Sequence, residues 1–227
     1  MSYNLTIDTS SEYFSATLSV SETIHGYIKS DKTNSHSESG PELLLELLKK
    51  HNLKTSDIDV VSIMIGPGSN TGIRVGISIV GALKIENPHL RIVKLSGMDL
   101  IFCAVKKQVE NFDYIINLSH MTFDKCHVEI VDKTNNQIIS PKILKYLEIE
   151  PWLNDLSDQM IDFSTGIKVI TGSGANKNFQ LVSEIKLNAC FKVLSYRTDA
   201  RKMIRPMRIK IKNKIFNEVS ELLPVSI

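Results

Sequence analysis

The chain has 227 residues, of which 42% are hydrophobic and 23% are charged, and its formal net charge at pH 7 is +2. These values are ordinary for a globular protein, and they exclude a disordered or membrane-spanning chain as the expected class. The length suffices for one large domain or for two domains of about 110 residues each. A net charge this small predicts no nucleic-acid partner by itself, so electrostatic arguments depend on local clusters.

The cysteines and the N-terminus indicate the compartment. Cys103, Cys126 and Cys190 are odd in number, far apart and outside any Cys-x-x-Cys spacing, which favours neither a disulfide framework nor a zinc site. Residues 1–20 alternate apolar and polar types and lack the basic start of a signal peptide. No apolar run approaches the roughly 18 residues of a membrane span. We therefore expect a cytoplasmic protein with no membrane partner.

The first elements in chain order form a β-hairpin followed by a helix. Apolar and polar residues alternate at 3–7 and again at 14–18, with a polar turn at 8–12 between them. The leucine-rich run 43–48 predicts the first helix, and Ser39 to Glu42 is a candidate capping box. Because proline lacks the amide that a helix interior needs, Pro41 predicts a helix start at about Glu42.

The second half repeats the order of elements in the first. Residues 60–65 predict a buried strand that a glycine loop joins to a helix at 71–84. A strand, turn and strand recur at 114–131, and the apolar strand that starts at Val169 again ends in a Gly-x-Gly loop. Units of this length indicate a duplicated domain rather than a solenoid, whose units run to about 20–50 residues. The rival interpretation is chance, because hairpins and Gly-x-Gly turns are common.

Two α/β halves with a hairpin and a glycine loop each are typical of the two-lobed actin-like ATPase and sugar-kinase fold, a ribonuclease H-like architecture. We expect an N-terminal lobe at 1–108 and a C-terminal lobe at 109–204. The last segment, 205–227, is expected to return to the N-terminal lobe.

The loop at 66–72 is the most distinctive motif of the chain. Its third glycine falls one place late for the dinucleotide motif Gly-x-Gly-x-x-Gly, and it lacks the Gly-Lys-Ser/Thr ending of a Walker loop. A phosphate can still rest on amides at such a helix start. The alternative is that the glycines permit a tight turn and close packing without a ligand. The candidate nucleotide contacts are Asp8, Gly66, Gly68, Ser69, Gly172 and Gly174.

Asp8 is a candidate because actin-like ATPases place a carboxylate on their first hairpin to hold hydrated magnesium. The alternative is an ordinary polar turn, since Asp, Thr and Ser are common turn residues.

The helix after the loop carries apolar side chains over more than half of its circumference. Gly72 and Gly76 are four residues apart on one face, where a second helix can approach closely. Either this helix is buried in the centre of a single domain, or it is shared with a partner subunit. The second interpretation gives the candidate partner interface His36, Leu44, Leu48, Gly72, Ile73, Gly76, Ile79 and Val80.

The run 66–76, GPGSNTGIRVG, resembles the GPGSFTGLRIG motif of the TsaB (YeaZ) family, with Asn70 where that family has an aromatic residue. Residues 7–10 resemble its opening IDTS hairpin, 36–38 its HSE helix start, and 172–175 its GxGA loop. Weaker resemblances lie at 199–201 and 223–225. Residues 118–120 depart from the family's pattern, as does the ending of the chain.

The resemblance implies a function in tRNA threonylcarbamoyladenosine modification, within the glycoprotease-like superfamily. It implies a non-catalytic partner subunit that forms a heterodimer with a TsaD-like catalytic subunit, or a homodimer without it, aided by a small TsaE-like ATPase. That complex transfers a threonylcarbamoyl group to the adenosine beside the anticodon, so tRNA is an indirect partner. No cofactor of its own is implied, although ATP or ADP at the subunit junction is a candidate.

Neither a catalytic residue nor a metal site is expected. TsaD-like proteins hold a metal through a His-x-x-x-His motif, whereas here His36 is followed at that spacing by Gly40. Two rival functions remain: an independent nucleotide-dependent phosphotransferase of the same fold, and a metal-dependent peptidase.

A basic run follows in the last part of the chain. Between Arg197 and Lys214 only Asp199 opposes a cluster of cations. The run is either the solvated face of a last helix or a contact for tRNA phosphates. Its cations are Arg201, Lys202, Arg205, Arg208, Lys210 and Lys212.

Overall fold

The computed structural model describes residues 2–33, 36–121, 123–159, 166–177, 190–194 and 199–224. The chain divides into two compact units: unit 1 comprises Met1–Leu100 and Thr198–Ser226, and unit 2 comprises Ile101–Arg197. The boundaries between the units thus follow Leu100 and Arg197, whereas the predicted lobes end at residues 108 and 204.

Unit 1 is built on a five-stranded mixed sheet with the order β3-β2-β1-β4-β5. The first three strands are antiparallel neighbours, and β1, β4 and β5 run parallel. Strand β1 is buried along most of its length, as expected of a strand in the middle of a sheet. The strands are β1 Tyr3–Asp8, β2 Ser15–Val20, β3 Thr23–Lys29, β4 Ile58–Met64 and β5 Arg91–Leu95.

Six helices lie within the described residues. They are α1 His36–Lys50, α2 Asn70–Glu86, α3 Gly97–Gln108, α4 Ile149–Gln159, α5 Ser173–Lys177 and α6 Ile204–Lys212. None of these described helices has the length and apolar character needed to cross a membrane.

Helix α1 begins at His36 and not at about Glu42, so that prediction is wrong. Pro41 lies inside the helix and is exposed, and the carbonyl that loses its amide partner belongs to the exposed Ser37, where water can reach it. The added first turn is stabilised by packing, because Gly40 lies against Phe14, whose Cδ2 is 3.0 Å from the position of a Cβ.

Unit 2 is built on a second five-stranded sheet with the order β10-β9-β6-β7-β8. Counted from the first strand of each unit, both sheets have the order third, second, first, fourth, fifth. The predicted α/β fold with duplicated halves is therefore confirmed. The strands are β6 Tyr114–His120, β7 Lys125–Asp132, β8 Gln137–Lys145, β9 Ile167–Thr171 and β10 Cys190–Leu194.

Each unit has its own hydrophobic core. In unit 1, apolar side chains of β1, β2 and β4 pack against α1 and α2. In unit 2, side chains of β6, β7 and β9 pack against α4, with Leu153 fully buried. Burial of each such Leu, Ile or Val stabilises the fold by about 1.5–3 kcal/mol, which makes these cores the main source of stability.

The segment before α6 is hydrogen-bonded to the sheet of unit 1. Thr6 Oγ1 donates to the Ala200 carbonyl at 2.7 Å, and the Ala200 amide donates to Ser15 Oγ at 3.2 Å. Tyr27 Oη donates to Asp199 Oδ2 at 3.0 Å, and Arg201 donates to both carboxylate oxygens at 2.9 Å. These bonds join the late part of the chain to its first three strands.

The pKa values in this cluster follow from the contacts. Burial alone would raise the pKa of the Asp199 carboxyl, but the hydrogen bonds from Arg201 and Tyr27 outweigh it and hold that pKa below its usual value. Burial, together with the charge of Asp199, raises the pKa of Tyr27 to about 12. The carboxylate is therefore ionised in the folded protein at neutral pH.

We expect Asp199→Asn to lower the free energy of unfolding at neutral pH by about 1–2 kcal/mol, because hydrogen bonds to a charged group are lost. Folding lowers the pKa of Asp199, so the ionised carboxylate makes its full contribution to the free energy of unfolding above the pKa of the unfolded state. This contribution is lost as the pH falls through the pKa of the folded state. Urea unfolding of both proteins over a series of pH values measures the difference. Asp59→Asn, at an exposed position of β4, is the control, and a pH-independent difference would contradict the prediction.

Candidate functional site

The loop between β4 and α2 is held by bonds within unit 1. Gly66 has a φ of 111°, which glycine adopts without strain. Its carbonyl accepts from the Gly97 amide at 2.7 Å, and the Ser69 amide donates to the Ser10 carbonyl at 2.9 Å. Ser69 is also the N-cap of α2, since its Oγ accepts from the Gly72 amide at 3.2 Å. Two amides of this predicted phosphate cradle are thus engaged within the protein.

Three glycines of the motif lie directly against the turn between β1 and β2. A Cβ at Gly68 would overlap the carbonyl oxygen of Ser10, and a Cβ at Gly72 would overlap that of Thr9. A Cβ at Gly76 would overlap Thr9 Oγ1 and lie 2.9 Å from Ile63 Cδ1. Helix α2 and the loop before it therefore approach the turn more closely than any side chain at these positions would allow.

Asp8 lies at the end of β1 and is fully buried. Its Oδ1 accepts from the Ser10 amide at 2.9 Å and from Ser10 Oγ at 2.7 Å, which is the pattern of an Asx turn. The carboxylate thus holds the turn whose carbonyls face the glycines. Nucleotide contact by Asp8 and the glycine loop stays a prediction.

The glycine loop of unit 2 is built in a similar way. Gly172 has a φ of 107°, and a Cβ there would overlap Asn117 Oδ1 and the Leu118 carbonyl. A Cβ at Gly174 would lie 2.8 Å from the same carbonyl and 2.8 Å from Tyr146 Oη. In both units the glycines that the sequence singled out let a loop or helix approach the first hairpin of its own sheet.

The eight residues of the candidate partner interface are all buried within the protein. The six that carry side chains are between 0 and 8% exposed, and the two glycines are buried as well. This corrects the sequence-based expectation: the small-residue face of α2 is filled by Thr9 and is closed to a second helix. The six side chains belong to His36, Leu44, Leu48, Ile73, Ile79 and Val80.

The opposite faces of the same helices remain open. Leu45 on α1 is 61% exposed and Ile85 on α2 is 84% exposed. Leu45 and Glu86 line one shallow groove at the ends of the two helices. Leu45 was not predicted, because the leucine run 43–48 does not show by itself which leucines face inward. The available signal was its position directly after Leu44, since successive residues on a helix point in different directions.

His36 is buried beside the start of α2. Its Cδ2 lies 3.2 Å from the position of a Cβ on Gly72, and neither ring nitrogen has a hydrogen-bond partner among the described residues. Within the same residues, no three His, Cys, Asp or Glu side chains are grouped so that they could hold a metal ion.

Sequence comparison relates the first half of the chain to a tRNA-modifying family. Residues 15–113 match the family model described as TsaD, tRNA N6-adenosine threonylcarbamoyltransferase. The proteins of that name from Pyrobaculum arsenaticum and Sulfurisphaera tokodaii are 41% identical over 51 residues and 39% identical over 61 residues. These matches cover 22% and 27% of this chain but only 15% and 18% of the relatives.

Comparison of structures defines the class of the whole chain as actin-like. A Bacteroides thetaiotaomicron protein with an actin-like ATPase fold superposes with a TM-score of 0.51, at 10% identity over 89% of this chain and 95% of that one. The polyphosphate/ATP-glucomannokinase of Arthrobacter sp. strain KM gives a TM-score of 0.53, at 8% identity over 94% and 100%.

Within this class, the chain has a YeaZ-like structure. YeaZ from Pseudomonas aeruginosa superposes over 100% of both chains with a TM-score of 0.73 at 16% identity. The resemblance to the TsaB (YeaZ) family that the motifs indicated is thereby confirmed in the fold, while the sequence match to the TsaD family model is confined to residues 15–113.

We expect Gly76→Ala to destabilise the protein by about 1–3 kcal/mol, because the added methyl group overlaps Thr9 and Ile63 in a filled space. Gly81→Ala on the same helix is the matched control, since among the described residues its Cβ would meet only Val219 Cγ1, at 3.8 Å. The control should stabilise by about 0.5–1 kcal/mol, because alanine is the better helix former. Urea unfolding measures both changes; equal changes of the same sign would contradict the close contact with the turn.

Proposed function

We propose that this chain is a non-catalytic partner subunit that a TsaD-like catalytic subunit needs for threonylcarbamoyl transfer to the adenosine beside the tRNA anticodon. The proposal is carried by the YeaZ-like fold of the entire chain. The match of residues 15–113 to the TsaD family model supports the same pathway of modification. A small TsaE-like ATPase and a nucleotide at the subunit junction belong to this proposal through the family resemblance.

A scaffold role is supported by what the motif residues do in this structure. The Asp8 carboxylate accepts two hydrogen bonds from its own turn, and Thr9 and Ser10 fill the space beside Gly68, Gly72 and Gly76. The residues that an actin-like ATPase would use for magnesium and phosphate therefore have structural partners within unit 1. Their arrangement stabilises α2 against the sheet and so presents its outer face.

We place the docking surface on the outward faces of α1 and α2. The two helices pack against each other, and their exposed apolar residues include Leu45 and Ile85. Pro41, Ser78 and Ala82 on the two helices are also exposed and uncharged, whereas Glu46 and Glu86, next in sequence to Leu45 and Ile85, are exposed and charged. Small and apolar side chains of this kind are typical of the centre of a protein interface, where charged residues are depleted.

The proposed function is tested by mixing the purified chain with the TsaD-like and TsaE-like proteins of its own organism and a transcribed tRNA. We expect threonylcarbamoyladenosine to form at a rate at least about tenfold higher with the chain than without it, since an obligate partner completes the catalytic subunit. Modification is measured by mass spectrometry of digested tRNA. Full modification without the chain would overturn the proposal, and turnover of ATP by the chain alone would favour a phosphotransferase.

The docking surface makes a narrower prediction. Leu45→Glu should weaken association with the TsaD-like subunit at least about tenfold, because a charge is buried where an apolar contact was made. The matched control is Leu147→Glu in unit 2, where the leucine is 78% exposed and lies on another element. Calorimetric titration gives both affinities, and thermal unfolding checks that both variants are folded. Equal affinities for the two variants would place the interface elsewhere.

A further inference from the structure

Five of the six cations of the basic segment fall into two groups. Lys210 forms a salt bridge with Asp99 at 2.8 Å and also donates to the Lys94 carbonyl at 2.9 Å. Arg201 pairs with Asp199 and lies over the ring of Tyr27, with its Cζ 4.2 Å from the ring centroid. These two cations anchor the segment to unit 1.

Three other cations of α6 face outward on one stripe. Arg205, Arg208 and Lys212 occupy positions i, i+3 and i+7, and Ile209 at i+4 is 47% exposed between them. The opposite side of the helix is buried in unit 1 through Ile204, Pro206 and Met207. No salt bridge of these three cations exists within the described parts of the chain.

The stripe forms one wall of a shallow groove. The groove is lined by these three cations, Ile209 and Ile211, with Glu22 from the turn between β2 and β3 as its acidic member. Three positive charges therefore face one negative charge over a short length. At about 1.5 Å of helix rise per residue, the distance from Arg205 to Lys212 is about 10 Å, and each strand of a duplex carries about three phosphates per 10 Å of duplex axis.

We propose that this α6 stripe, Arg205, Arg208 and Lys212, is a contact surface for the phosphate backbone of RNA. The guanidinium groups of the two arginines match the geometry of phosphate oxygens with two parallel hydrogen bonds. The choice of RNA over DNA rests on the proposed function, in which the chain serves tRNA modification. The surface positions RNA without reading its sequence, since phosphate contacts carry no base information.

Two other anionic partners fit the surface less well. A helix that lies on a membrane buries a broad apolar face in the lipid, whereas the apolar face of α6 is already buried in unit 1 and only Ile209 is left on the stripe. A stable protein interface has an apolar centre with few charges, whereas here four of the six residues that line the groove are charged and only two are apolar.

The test uses the full chain with Arg205, Arg208 and Lys212 all changed to Gln. Binding to a fluorescein-labelled tRNA transcript is followed by anisotropy over a series of salt concentrations. Each lost phosphate contact lowers the slope of log K against log salt by about 1, so the slope should fall by about 2–3 and the affinity at low salt at least about tenfold. The matched control changes the exposed Lys107, Lys125 and Lys133 to Gln, which removes the same charge from unit 2, away from the proposed docking surface.

The outcomes separate this proposal from the proposed function. Loss of tRNA binding in the α6 variant, with an unchanged control and unchanged affinity for the TsaD-like subunit, supports the RNA surface. An equal loss in both triple variants, or no salt-dependent binding by the wild type, overturns it and leaves the partner role standing. Binding to vesicles of phosphatidylcholine and phosphatidylserine that needs the stripe, with tRNA binding unaffected, overturns it in favour of a membrane. Thermal unfolding verifies that all variants are folded.

Discussion

The contact between the β1–β2 turn and α2 is the constraint on which unit 1 depends. Two backbone carbonyls and one hydroxyl, from Thr9 and Ser10, occupy the space that side chains would fill at Gly68, Gly72 and Gly76. Because protein interiors are close-packed, a turn at this distance fixes both the height and the rotation of the helix over the sheet. The rotation determines which residues of α2 enter the core and which face outward. The contact of Gly72 and Gly76 with the turn therefore determines which residues form the outer face of α2, although the two glycines do not lie on that face.

This contact shows how far the motif could be interpreted from sequence. The spacing of Gly72 and Gly76 indicates correctly that something approaches α2 closely, but spacing carries no information on whether a helix or a turn does so. The hairpin, the order of strand, loop and helix, and the duplication all followed from hydrophobic periodicity, which depends on local burial. Strand β3 could not be predicted from this periodicity, because its residues are exposed or half-buried and their burial does not alternate. The start of α1 was misplaced because packing of Gly40 on Phe14 outweighs the local effect of Pro41.

Unit 2 repeats the arrangement with different residues. The carbonyl of Leu118 at the end of β6 lies against both Gly172 and Gly174, as the carbonyls of Thr9 and Ser10 lie against α2 and its loop. The shared feature is geometric: glycines bring a following element onto the first hairpin of its own sheet. Side-chain identity at the turn is free to differ, which explains why the two halves match in strand order while their sequences barely match. A fold comparison detects such a relationship where a short motif from either half does not.

The cations of helix α6 differ in whether their charge is balanced by a neighbouring group. In the sequence, the basic segment is a run of cations with a single acidic residue among them, and the small net charge of +2 gives no sign of this local cluster. In the structure, Lys210 is bound to Asp99 and a backbone carbonyl, which leaves its charge largely balanced. The helical period places Lys210 and the buried apolar residues on one side of α6. It places Arg205, Arg208 and Lys212 on the opposite side, so the helix can be anchored to unit 1 while these three cations face outward. The same periodicity that stabilises α6 against unit 1 therefore concentrates unbalanced positive charge on its outer face.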